Sequence, residues 1–185
     1  MVLFNKSRKF DFPPDLKFYD GTQLEVVPQV KLVGIVISDD LKWQQNTDFI
    51  TKKAMQRIWI LRRLKKMGMT SSFIIDVYIK EVRSTVEQAV PLWNGGLTIS
   101  QVNQIERVQK TALFVIFDKN YIDYENACQL ADLESLATRR TELCLNFAKK
   151  DLKSSDSLFE KVDSTRNLRK SKKKVKEYIL SLIHI

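Results

Sequence analysis

Histidine is almost missing from this chain. The one residue of that type, His184, stands next to the last position. A histidine-based triad, a histidine-ligated metal or a histidine general base would have to work from there, and that class of chemistry is set aside. Cysteine is nearly as scarce. Cys128 and Cys144 lie sixteen positions apart, without CxxC spacing or a neighbouring histidine. That pattern argues against zinc and for free thiols in the cytoplasm or nucleus. No apolar run approaches the ~20 residues that span a bilayer, so no membrane protein is expected. The opening MVLFNKSRKF has neither an apolar h-region nor a small-residue cleavage site, so no secretory signal is expected either.

What is present is a globular composition, 44% hydrophobic and 10% aromatic, in 185 residues. That suffices for one cored domain, or one and a half modest ones. The net charge of +9 is unevenly placed. Residues 1–43 are balanced, 44–66 carry +6, 67–165 carry −3, and 166–185 carry +6 again. Two local clusters on a near-neutral body mean charge put somewhere for a purpose.

Along the chain, the first forty-odd residues read as strands. Met1–Phe4 is an apolar stub, Phe12-Pro13-Pro14-Asp15 a loop, and Asp20-Gly21 a hairpin signal between LKFY and TQLEVV. Val30–Ile37, after Pro28, is apolar on both faces, as in a strand covered on each side. From Gln44 to Lys66 the period becomes helical, with Ile50, Ala54, Ile58, Leu61 and Leu64 in one arc. Arg57 falls inside that arc and needs to snorkel or find an acidic partner. Gly68 is a stop, and Thr70-Ser71-Ser72 offers caps for the next helix. Further helices are predicted over Phe73–Val90, Ser100–Phe117, Tyr124–Ala131 and Leu133–Leu152, with a polar, charge-rich tail beyond.

Four features carry chemical suggestions. Asp39-Asp40 follows a strand, as polymerase metal ligands do. A two-metal site needs carboxylates from at least two strands, however, and the other nearby acids sit at turns. Ser38-Asp39-Asp40 reads instead as a turn cap. Lys52, Arg63 and Lys66 surround Trp59 on the polar side of the long helix. Such a face either neutralises phosphates while the ring stacks, or is a solvated surface with Trp59 packed on a neighbour. The run RKSKKKVKE in the tail is a nuclear-targeting or nucleic-acid patch, or a solubilising end. Arg139-Arg140 reads as phosphate contacts or as ion pairs with Glu134 or Glu142. Trp43, Trp93 and Tyr78 read as packing aromatics.

In order, KLVGIVISDDLKW, the long basic helix, YIKEVRSTVEQAVPLW, IERVQKTALFVIF and YENACQLADLESLATRRTELCLNFAKK resemble the reverse transcriptases of LINE-type (non-long-terminal-repeat) retrotransposons. The resemblance covers residues 1 to 150 and rests on the ordered set, not on one motif. It implies an α+β, mostly α, fold. Residues 1–43 would be the palm end and primer-grip hairpins, 44–152 a helical thumb and connection, and 153–185 a basic, partly disordered tail. Leu32, Val33 and Gly34 would form the primer grip, and Lys52, Trp59, Arg63 and Lys66 would lie along an RNA–DNA template–primer duplex.

The family's metal-binding aspartates lie upstream of the matched region. The resemblance therefore implies a fragment without catalytic residues or a cofactor of its own, while the parent polymerase implies Mg2+. Implied partners are the duplex and the parent chain's palm and fingers, with no membrane and no small-molecule substrate, in the nucleus or cytoplasm. Val33 stands where the family has leucine, and Gln88 where it has tyrosine. Leu180–Ile185, LSLIHI, reads as a translated sequencing adapter. Two other readings stay open: a non-enzymatic helical interaction module, and a non-functional truncated copy of such an element.

Overall fold

The structure, a computed structural model, describes residues 17, 19–23 and 27–151. The expectations for Met1–Phe4, for the loop at Phe12–Asp15 and for the tail from 153 onward lie outside them. An antiparallel bridge between Lys17 and Gln23 flanks the Asp20-Gly21 turn. There Gly21 takes φ +82° and the Asp20 carboxylate accepts the Thr22 N–H at 2.9 Å.

The next run is not one strand. It folds back on itself as β1 (Gln29–Leu32) and β2 (Ile35–Ser38), paired Leu32 to Ile35 and Gln29 to Ser38. Val33 and Gly34 make the connection at φ +48° and +81°, the positive pair that a two-residue hairpin turn requires. The expected strand with cover on both sides is therefore corrected. β1 is exposed throughout, and only β2 is covered.

The described α-helices share one core. α1 (Gln44–Lys66) keeps its predicted limits. Its Ile50, Ala54, Ile58 and Leu61 are buried, and it packs on α5 (Ile99–Phe117), which supplies Ile105, Val108, Ala112 and Ile116. Ile35 of β2 and Trp43 join the same cluster. The α1 carboxyl end holds Arg63, Lys65 and Lys66 in its last turn, where cations suit the helix dipole. Lys65 reaches across to donate to the Ile116 carbonyl at 2.6 Å. Arg57 finds its partners further along the chain, donating to the Glu81 carbonyl at 2.6 Å and to Thr85 Oγ1 at 2.8 Å.

The predicted helix over Phe73–Val90 is broken into parts. α2 (Ser71–Val77) passes into a π-helical stretch, Tyr78–Arg83, and then into the single turn α3 (Ser84–Glu87). The chain bends at Gln88-Ala89, where Ala89 takes φ +51°, and resumes as α4 (Val90–Trp93), with Pro91 in its first turn where no N–H is needed. The wider stretch turns Tyr78 and Val82 both fully inward. Thr98 and Gln101 form a capping box at the start of α5, one residue earlier than predicted. α6 (Tyr124–Ala131) matches its prediction. α7 (Leu136–Asp151) starts later than expected, because Asp132 turns left-handed after α6 and Ser135 caps the new helix at 3.1 Å.

A buried polar chain joins these helices. The Tyr78 hydroxyl donates to Gln109 Oε1 at 2.7 Å, and Gln109 Nε2 donates to Tyr124 Oη at 3.0 Å and to the Glu134 carbonyl at 2.8 Å. Tyr124 in turn donates to Glu106. That carboxylate also accepts the N–H groups of Leu136 and Ala137, at 2.9 and 3.1 Å, and so caps α7 from a different helix. Among the described residues no helix is long and apolar enough to cross a membrane.

Two outcomes follow. Ile58→Ala should cost about 2–5 kcal/mol in urea unfolding, because it opens a cavity where α1 meets α5. Burial pushes the phenols of Tyr78 and Tyr124 well above their ordinary value, with the bond to Glu106 adding to the effect at Tyr124. Their stabilising share is complete below the unfolded phenol value near ~10 and declines as pH rises above it. Absorbance titration at pH 11 should find both un-ionised while the fold persists.

Candidate nucleic-acid interface

Positions 52, 59, 63 and 66 follow one another at one or two turns of α1, opposite the arc that faces α5. Lys52, Trp59, Arg63 and Lys66 are accordingly all exposed, on one face that runs about 21 Å at 1.5 Å per residue. Trp59 is not packed on a neighbouring element: it is 57% exposed, and the Arg63 guanidinium lies 5.3 Å from its ring centroid. That is cation–π distance, which presents the ring and the charge as a pair. Arg62 and Met55 flank this face and are exposed as well. The helical wheel could have named them, but charge counting with a strict stripe left them out.

The hairpin tip is a second exposed group. Leu32 is 58% and Val33 82% exposed. A β-branched residue at positive φ costs roughly 1–2 kcal/mol, and Val33 gains no burial in return. Gly34 beside it takes φ +81°, which favours glycine, and a Cβ there would sit 2.8 Å from Gln88 Nε2 and displace that amide. Lys31, on β1, places its ammonium 4.3 Å above the Phe49 ring of α1. Val36 donates to Asn46 Oδ1 at 3.2 Å, so the hairpin is tethered to α1 from both strands.

Asp40 is spoken for within its own turn. Its carboxylate accepts from the Ser38 hydroxyl at 2.7 Å and from the Lys42 N–H at 3.1 Å, with the Lys42 ammonium at 3.3 Å. The Ser38 bond, then the Lys42 bonds and charge, hold its carboxyl below the usual range. No group of three metal-ligating side chains occurs among the described residues. A cleft of about 770 Å³ opens beside this turn, lined by Lys42, Gln44, Gly96, Thr98 and Gln101 among others. Gln101 is already committed there, donating to the Lys42 carbonyl at 2.8 Å.

Arg139 and Arg140 separate. Arg139 pairs with Glu142 at 3.2 Å, as expected of one reading, and with Glu87 of α3 at 3.3 Å, which spacing along α7 could not reveal. Arg140 is fully buried and donates to Asn94 Oδ1 at 3.0 Å, so neither arginine is a free phosphate contact. Trp93 is buried too, with its indole N–H on the Gln88 carbonyl at 2.9 Å. Cys128 and Cys144 are free thiols.

No protein-family model, curated protein or solved structure matches the chain.

Since Val33 holds a strained conformation without packing, Val33→Asn should raise unfolding stability by about 0.5–1 kcal/mol, asparagine tolerating positive φ better. A midpoint shift in urea at constant slope is the measurement. A loss of stability would mean that the tip is packed after all.

Proposed function

We propose that this chain is the palm-end, primer-grip and thumb portion of a LINE-type reverse transcriptase, and that it holds an RNA–DNA template–primer duplex without carrying the chemistry. The observation behind this reading is the exposed α1 face, where Lys52, Trp59, Arg63 and Lys66 stand in line on a rigid helix. Its length is comparable to the rise of several base pairs, and its three cations suit backbone phosphates, which position a duplex without reading its sequence. The exposed Trp59–Arg63 pair adds a flat surface that can lie against sugars or bases.

The hairpin contributes differently. Leu32 and Val33 offer exposed apolar surface rather than charge, with Gly34 completing the turn that presents them. In this reading they steady the primer end. The parent's metal-binding carboxylates would belong to other parts of the polymerase, and the Asp39-Asp40 turn takes no share in metal binding.

Binding to an RNA–DNA duplex should therefore fall steeply with salt, since each phosphate that the protein neutralises releases counterions. Replacing Lys52, Arg63 and Lys66 together by Ala should lower the log–log slope by about one for every phosphate left without its cation. Trp59→Ala should weaken binding several-fold and leave the slope unchanged. Fluorescence anisotropy across a salt series measures both. An unaltered slope in the triple variant would favour a helical protein-interaction module instead.

A further inference from the structure

The two exposed groups are joined through one side chain. Gln88 lies at the bend between α3 and α4, where Ala89 adopts a left-handed conformation. Its backbone carbonyl is held from inside by the indole N–H of buried Trp93 at 2.9 Å. Its side-chain amide points the other way and donates to the Val33 carbonyl at 2.9 Å, fifty-five residues distant in sequence. That carbonyl belongs to the turn itself, and the amide occupies the space that a Cβ on Gly34 would need. Next to it, Glu87 is held by Arg83 at 3.4 Å and by Arg139 of α7 at 3.3 Å. The bend is thus fixed by a buried ring and two ion pairs, and it extends a single polar hand to an otherwise exposed tip.

We propose that Gln88 is a positioning residue that latches the hairpin tip to the helical body, so that Leu32 and Val33 keep a fixed place relative to the basic face of α1. On the β1 side the tip has few other restraints: β1 is exposed along its length, whereas β2 is anchored by buried Ile35, and the polar ties to α1, at Lys31 and Val36, lie back along the strands. A short two-stranded ribbon alone is at best marginally stable in water, so a tether at the turn adds to the packing of Ile35 in fixing where its end points. What the tip does there rests on the duplex-holding reading; the latch does not.

The test uses the full chain and two variants. Gln88→Glu keeps the shape but cannot donate at neutral pH, and Gln88→Ala removes the side chain. In Gln88→Glu, hydrogen exchange of the hairpin amides at Leu32, Ile35 and Ile37 should accelerate roughly fivefold, the ratio equivalent to one net hydrogen bond. Amides of α5 should stay within twofold, which shows that the fold is kept. Gln88→Ala should reproduce the effect. Duplex affinity should fall several-fold at unchanged salt slope, a split that distinguishes a misplaced tip from weaker phosphate neutralisation. Unchanged hairpin exchange in both variants would overturn the latch, whatever happens to binding. Faster exchange with unchanged affinity would uphold the latch and remove the hairpin from the duplex-holding reading.

Discussion

The packing of α1 against α5 organises the molecule. Ile50, Ala54, Ile58 and Leu61 are buried on one side of α1, and Trp59 and Met55 are the large apolar side chains that it leaves exposed. A helix pinned along its whole length cannot rotate. Every exposed residue on it therefore has a defined direction, and the alignment of Lys52, Trp59, Arg63 and Lys66 is a consequence of core packing. The charged face is only as straight as the buried one.

A second constraint is polar. Gln109 and Glu106 both project from α5, and between them they satisfy Tyr78, Tyr124, the Glu134 carbonyl and the first N–H groups of α7. Such a network specifies position more narrowly than apolar packing, because each unmet group would be costly. It sets where α7 begins, and so where Arg139 meets Glu87 and where Arg140 enters the interior. The same helix that orients the basic face thus orients the far end of the bundle.

How much of this could be read in advance depended on whether the signal was local. α1, α5 and α6 announce themselves by apolar period and by caps or stops beside them, and their limits agree within a residue. The hairpin could not be read from the pattern of residues, which suggests one strand. Valine is a poor turn residue, and a run of Val, Ile and Leu on both sides of Gly34 hides the reversal. The bend at Gln88-Ala89 carries no glycine, and proline comes only afterwards, so periodicity ran through it. The partner of Arg57 was foreseen as a need but not as Glu81 and Thr85. Glu87 with Arg139, and Gln88 with Val33, depend on folding, since the pairs are more than fifty residues apart.

The π-helical stretch Tyr78–Arg83 fits one more residue into its turns than a regular helix would. The side chains after it are out of phase with those before it, by about the 100° that one residue subtends. Were the same residues wound into regular α-helical turns instead, the segment after them would be rotated by that angle. Glu87 and Gln88 would swing round the axis, away from both Arg139 and the Val33 carbonyl. In this segment the apparent imperfection sets the timing of everything downstream, as an extra tooth does on a gear.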